Sequence, residues 1–483
     1  MIEKYKLSVI ILFLISAVFT QAQITGSSGL TDPVSAALGN TYVTRPDGIY
    51  SLGKNPANIA YYKENAEFYL VLPIPEVSVS AGTDFMNLEE FNYFFGSNEK
   101  DDKGESVSKY LTPVDVSRFK ALFDSGNEID ANLRVNILSV VLNIAPRVGV
   151  FGFSVSDRAS AKTTVPKDMI DLMDGNELGK TYSLNDLEMN AWYLREYSLS
   201  FAKDITEFVP GFKSFTVGTS LKLIHGFVYA GVENIESDFS ITDNLEFNAK
   251  GNLKVQSAFS PDFGVKYDFE EGDKESTVNG PFPEPAGKGF GIDLGATAKM
   301  FDFWTFGLSI TDIGSVNWNK GAANYTTNTQ FTIDGITGDN EYNDYVDSLF
   351  NTLEPEGDYA GEFSTSLPTA LHFGALLELD RFLDGHFPGR MDLYAEYHQG
   401  LNNALLNSLT PRFAVGADWG PSDWFAFRSG LSFGGRDGFN WSAGFGFDTG
   451  LLKIDLATNH LHSWLNGNSA KRLSVILGSR WNL

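Results

Sequence analysis

The sequence predicts an all-β fold, a 14-stranded antiparallel transmembrane β-barrel with short periplasmic turns, long external loops and an N-terminal plug. Three observations predict it. Segment after segment alternates apolar and polar residues with period two. The connections between these segments are alternately long and short, as in outer-membrane barrels. The chain also opens with an export signal, yet no other stretch reaches the 18 apolar residues of a membrane helix. In lipid every backbone polar group must be satisfied within the protein, which leaves helices and closed barrels as spanning structures.

Residues 1–22 read as a signal peptide. Lys4 and Lys6 give a basic start, Leu7 to Phe19 is an uncharged apolar run, and Thr20-Gln21-Ala22 supplies small residues for cleavage after Ala22. The alternative, an N-terminal membrane anchor, fails on length, since a spanning helix needs about 20 apolar residues. Residues 23–65 are turn-rich: Thr25 to Gly29, Asp32-Pro33, Arg45 to Gly48 and Asn55-Pro56 all break regular structure, and only Val34 to Leu38 suggests a helical turn.

Residues 66–483 carry the strands. Fourteen spans alternate: 66–82, 131–144, 147–160, 189–203, 213–230, 288–300, 304–318, 366–379, 389–400, 411–420, 424–434, 438–448, 451–460 and 473–483. Pro73 and Pro75 interrupt the first and demand a kink or an unpaired edge. The clearest is 288–300, where Phe290, Ile292, Leu294, Ala296, Ala298 and Met300 share one face and Gly291, Asp293, Gly295, Thr297 and Lys299 the other. In the next, Trp304, Phe306, Leu308 and Ile310 keep the alternation until Asp312-Ile313-Gly314, a candidate bulge. Long connections at 83–130, 161–188, 231–287 and 319–365 fall on one side, and the short ones at 145–146, 204–212, 301–303 and 421–423 on the other. An even strand count returns both termini to the short-turn side, and a last strand ending at Leu483 is free to close on the first. Trp304, Trp419 and Trp481 sit at short-turn ends on apolar faces, with Trp441 near the opposite rim, as an interfacial aromatic girdle requires.

Charge and composition exclude other classes. With 36 Lys+Arg against 61 Asp+Glu and a formal charge of −25, no basic cluster exists to neutralise phosphates, so nucleic acid is excluded. The absence of Cys removes disulfides, thiolate metal sites and cysteine nucleophiles. The four long loops hold 38 acidic and 13 basic residues, so they carry a net charge equal to that of the whole chain. The acid therefore faces outward, where it attracts divalent cations or repels anionic surfaces.

Strand parity assigns the inward faces. They carry Arg134, Glu196, Lys222, Asp293, Lys299, His372, Glu378, Asp392, Glu396, His398, Arg428, Lys453, Asp455 and Arg480. The plain interpretation is a paired, solvated network that keeps the lumen polar. The sharper one is a substrate path through Glu196, Lys222, Asp293, Lys299, His372, Glu396, Arg428 and Asp455. A barrel this narrow is filled by side chains and plug, so passage needs the plug to move or a lateral opening at a strand kink. No enzyme, cofactor or metal site is expected. There is no Gly-x-Ser-x-Gly elbow, His-Glu-x-x-His or phosphate-binding loop, and His462 and Ser463, as sequence neighbours, point to opposite faces of a strand. Asp334, Asp339, Glu341, Asp344 and Asp347 are hard oxygen donors that suit calcium, but at no EF-hand spacing, and 340–353 reads equally as an amphipathic helix.

Small residues at Ala36-Ala37-Leu38-Gly39 lead into Asn55-Pro56-Ala57-Asn58-Ile59-Ala60, and Gly287 to Gly295 and Ser309 to Trp318 follow as strand motifs. These resemble an uncharacterised family of Gram-negative outer-membrane β-barrels, related in pattern to the long-chain fatty acid transporters and to the barrel that shuttles cargo in type IX secretion. The resemblance implies a plug entering from the periplasm with Asn55, Pro56 and Ala57 in it. It implies a gated transporter or channel for a small apolar molecule in the outer membrane of a Gram-negative bacterium. The alternative it offers is a non-transporting barrel that anchors or shuttles a secreted protein through its acidic loops. Expected partners are outer-membrane lipid and either a small hydrophobic substrate or a secreted or outer-membrane protein.

Overall fold

A computed structural model describes residues 32–45, 48–60, 68–70, 76–96, 99–100, 106–107, 111–145, 148–171, 177–243, 246–271, 275–278, 280–333, 356–436 and 438–482. The expected signal peptide, Pro73 and Pro75, and the acidic stretch 334–355 lie outside these. Fourteen antiparallel strands close into a barrel. They are β1 (Phe68–Leu70 and Glu76–Thr83), β2 (Glu128–Ala145), β3 (Gly149–Thr164), β4 (Met189–Asp204), β5 (Ser214–Ile241), β6 (Gly287–Met300) and β7 (Trp304–Trp318). They continue as β8 (Phe363–Ser366 and Ala370–Glu378), β9 (Arg390–Gly400), β10 (Arg412–Ser422), β11 (Phe425–Gly434), β12 (Asn440–Asp448), β13 (Leu452–Thr458) and β14 (Arg472–Asn482). Each strand pairs with its sequence neighbour, and β14 returns to β1 through Val77↔Leu477 and Leu70↔Trp481. Among the described residues, closure leaves no strand of the barrel without a partner on each side.

The burial pattern is inside out. Leu199, Leu221, Phe290, Leu294, Leu308, Phe373, Phe413 and Leu456 are each between 47% and 54% exposed, while Ser200, Ser220, Lys222, Asp293, Ser309 and His372 are at most 1% exposed. Apolar side chains on the outer surface of every part of the wall form the lipid-facing band of a transmembrane barrel. No described helix is long and apolar enough to cross a membrane. Trp419 and Trp441 face outward at opposite rims, each 38% exposed, while Trp304 and Trp481 are half-buried.

The loops hold more structure than alternation alone predicts. β5 runs on to Ile241, past the expected end at residue 230, because its upper half pairs with Phe247–Phe259, which pairs in turn with Ala322–Ile333 and then Glu356–Tyr359. These strands form an external sheet continuous with the wall. The first long loop carries helices α2 (Leu88–Phe95) and α3 (Pro113–Leu122), after the shorter α1 (Pro33–Ala37) of the N-terminal segment. Both loop helices start with capping boxes, Asn87 with Glu90 and Thr112 with Asp115. They bury Phe94 and Leu122 against Phe85, Phe123 and Ile170. The helix expected at 340–353 falls outside the described residues.

Candidate functional site: the occupied lumen

The N-terminal segment lies inside the barrel and is folded around one carboxylate. Asp32 caps α1 by accepting from the Val34 and Ser35 amides at 2.9 and 3.0 Å. Asp32 also takes the guanidinium of Arg45 at 2.9 Å and the ammonium of Lys54. Asn55 and Asn58 donate to the Val43 carbonyl at 2.6 and 2.9 Å, which holds the Asn55–Asn58 turn against Val43.

Contacts to the wall fix this unit in place. Glu396 on β9 accepts from the Tyr42 and Val43 amides at 2.6 and 2.9 Å. Thr297 on β6 receives the Asn55 amide at 3.0 Å and donates to Asn58 at 2.6 Å, and Arg412 on β10 donates to the Gly39 carbonyl. The inward glycines explain the fit. A Cβ on Gly430 would stand 2.2 Å from the Leu38 carbonyl carbon and one on Gly218 would stand 2.5 Å from the Pro56 carbonyl carbon. Alternating glycine is thus a groove cut for a second backbone.

Above the segment lies a chain of charges. Glu196 pairs with Arg158 at 2.6 Å, Arg158 with Asp312 at 3.4 Å, Asp312 with Lys222 at 2.5 Å, and Lys222 with Asp293 at 2.8 Å. A bulge builds it. The β6–β7 register slips between Ile292 and Leu294, which pair with Ile313 and Ile310, so Thr311 and Asp312 both oppose Asp293. Asp312 takes a positive φ of 57°, and both residues turn inward and are buried. Beside the chain, the His372 and His398 rings lie 4.2 Å apart, and His372 Nδ1 is 3.5 Å from Glu396.

The remaining inward residues form separate groups. Arg428 joins Asp418 at 3.1 Å and Asp455 at 2.7 Å toward the periplasmic end. Lys299 pairs with Glu378 at the lower rim and has no contact with the central chain. Of the proposed path residues, the structure therefore brings together Glu196, Lys222 and Asp293 in one group, His372 and Glu396 in a second, and Arg428 and Asp455 in a third.

Sequence reasoning missed Arg158, Asp312 and Asp418. Arg158 and Asp418 lie on the polar faces of their strands, so parity was the signal that could have found them; Asp312 is inward only because of the bulge. His462 and Ser463 fall in the β13–β14 connection, as the spans 451–460 and 473–483 imply, and there Leu461–Leu465 is a helix, with His460 Nδ1 3.0 Å from Ser474 Oγ. β13 itself ends at Thr458, two residues short of the expected end at 460.

Cavities flank the N-terminal segment. A periplasmic vestibule of about 400 Å³ is lined by Arg45, Arg390, Asp418, Arg428 and Asp455. A central space of about 60 Å³ is lined by Tyr42, Lys54, Arg158, Lys222, Asp312 and His372. Two outer clefts, of about 310 and 290 Å³, share Asn190, Asn403, Ala404 and Leu405 in their linings. Among the described residues no cluster of His, Asp and Glu is arranged to hold a metal ion.

Fold and lumen together define a transmembrane β-barrel of the outer-membrane type with its N-terminal segment seated inside. Residues 56–459 match the model of a family described as "Family of unknown function (DUF5723)", and the chain belongs to that family. No curated protein matches the chain. Among solved structures it is similar to the toluene transporter TodX of Pseudomonas putida, with 12% identity over 95% of this chain and 99% of that one and a TM-score of 0.45. It is also similar to the monoaromatic hydrocarbon channel CymD, at 11% identity over 94% and 97% of the two chains and a TM-score of 0.46. A Pseudomonas aeruginosa FadL homologue aligns at 13% identity over 95% and 99%, with a TM-score of 0.44.

Proposed function

We propose that the protein is a gated outer-membrane transporter for a small, predominantly apolar molecule, with residues 23–65 as its plug. One observation carries the reading: cavities lie on both faces of the N-terminal segment, which contributes Tyr42 and Lys54 to the upper and Arg45 to the lower. The outer mouth suits an apolar passenger, because the cleft of about 310 Å³ holds Trp192, Tyr229 and Leu405 beside the buried cluster of Leu194, Ile224, Val316 and Trp318. The charge chain beneath it stops such a molecule, which has nothing to offer desolvated ion pairs. Onward passage therefore requires the plug to move or the wall to open. Two places favour opening. The bulge at Thr311–Asp312 faces the break in β8 between Ser366 and Ala370. In β1, the described pairs Leu70↔Val140 and Glu76↔Asn136 lie six positions apart on β1 and four apart on β2, so the register shifts by two between them.

The test is flux through proteoliposomes bearing the mature chain with and without residues 23–65. Deletion is expected to raise conductance and uptake of a small apolar dye. Unchanged conductance and uptake overturn the transport reading. The second reading, a barrel that docks a secreted protein, is favoured by the small central space and the external sheet. Retention of such a partner through loops 83–130, 231–287 and 319–365, with no flux in either form, supports it.

A further inference from the structure

The outer cleft of about 310 Å³ differs from its neighbours in one respect: among the described residues its lining, which includes Asn190, Trp192, Tyr229, Ser366, Asn403 and Leu405, holds no charged side chain. The vestibule, the central space and the second outer cleft all hold both signs of charge. Trp192 is 3% exposed, and its indole N–H is buried without an acceptor. The contrast with Trp318 in the same cluster is direct, since the Trp318 indole donates to Thr365 Oγ1 at 2.9 Å. Buried donors are nearly always satisfied, and one left open beside a cavity marks where an acceptor is missing. Tyr229 pairs across the strands with Trp192, so the two rings give the cleft an aromatic floor. Asn190 and Asn403 add amides that bond neutral oxygen groups.

We infer that this cleft binds an uncharged small molecule with an apolar face and an exposed oxygen acceptor, which takes the Trp192 N–H. A carboxylate or ammonium is disfavoured, because desolvation in the cleft is not offset by any opposite charge. This names the passenger class of the transport reading and rests on it for its purpose. Binding and flux are separate measurements, however, so either can fail alone.

Calorimetry on the full mature chain in lipid nanodiscs, with empty nanodiscs as the blank, compares four probes: cyclohexanone, methylcyclohexane, cyclohexanecarboxylate and methyl glucoside. Cyclohexanone is expected to bind more tightly than the hydrocarbon and the carboxylate. Trp192→Phe keeps the aromatic floor and removes the N–H, so it should weaken cyclohexanone roughly 3- to 10-fold and leave methylcyclohexane unchanged. If that variant fails to fold, the wild type still decides: one of its 8 tryptophan indole N–H resonances must shift on adding cyclohexanone. Methyl glucoside binding more tightly than cyclohexanone assigns the acceptor to a saccharide, and the reverse assigns it to an oxygenated hydrocarbon. Equal binding of hydrocarbon and ketone, tighter binding of the carboxylate, no binding of any probe, or no indole shift overturns the inference.

Discussion

Lys222→Met isolates the charge chain that the bulge creates. The ammonium lies 2.8 Å from Asp293 and 2.5 Å from Asp312, with its side chain 1% exposed and that of Asp293 0% exposed. Removing one partner of a buried pair leaves an uncompensated charge and costs about 3–5 kcal/mol. Two features set the position within that range. Asp312 keeps Arg158 at 3.4 Å, and Asp293 still accepts the Asp312 amide at 2.8 Å, which limits the loss. The other oxygen of Asp293 has no hydrogen-bond partner, which raises it. The expected cost is about 4 kcal/mol. Neutralising the whole group should recover most of this, so Lys222→Met with Asp293→Asn and Asp312→Asn is expected within about 1–2 kcal/mol of wild type. Asn is chosen because it tolerates the left-handed backbone at residue 312. Urea unfolding and refolding in detergent micelles, followed by tryptophan fluorescence, measures both. A single variant that loses under about 1 kcal/mol, or a triple variant as unstable as the single, refutes the assignment of Lys222 as the central counter-ion.

Other perturbations address the groove, the belt and the external sheet. Gly430→Ala places a Cβ against Leu38 and is expected to displace α1, giving the conductance of the plug deletion from a barrel that still assembles; Gly251→Ala, with open space at that position, should match wild type in the same planar-bilayer recordings. Leu221→Arg puts a cation in the apolar band and should cost about 2–4 kcal/mol in refolding titrations into lipid vesicles, whereas a cost near zero would remove residue 221 from the lipid face. Tyr325 is pushed up to about 12 by burial and by its hydrogen bond to Asp268. Its neutral form therefore supports the external sheet fully below the ordinary tyrosine pKa, and that support is lost as pH rises through about 12. The difference in absorbance at the tyrosinate band between wild type and Tyr325→Phe should show one late titration step, and a step at the ordinary pKa contradicts the placement.

Alternation was the legible part. In 288–300 it assigned Asp293 to the lumen and Leu294 to the lipid, and their exposures of 0% and 48% agree. By the same alternation Gly444, flanked by outward Phe445, faces the lumen, where a Cβ would stand 2.7 Å from the Ala37 side chain. The external strands Phe247–Phe259 and Ala322–Ile333 also alternate, but their apolar faces are thin in large side chains, so the pattern passed for loop. Glu396 was readable as inward, yet not as the acceptor for the Tyr42 and Val43 amides.

The sequence by itself determined which residues face lipid, which face inward, on which side the long loops gather and where the charge of −25 resides. These follow from the pleat, whose two-residue period is a local property of the chain. Only the tertiary structure decided that Thr311 and Asp312 turn inward together, that Arg158 joins Glu196 to Asp312, and that residues 32–45 and 48–60 sit in the lumen against inward glycines. Those outcomes depend on register across neighbouring strands and on closure of β14 against β1, which bring together residues hundreds of positions apart; no local period encodes such pairings.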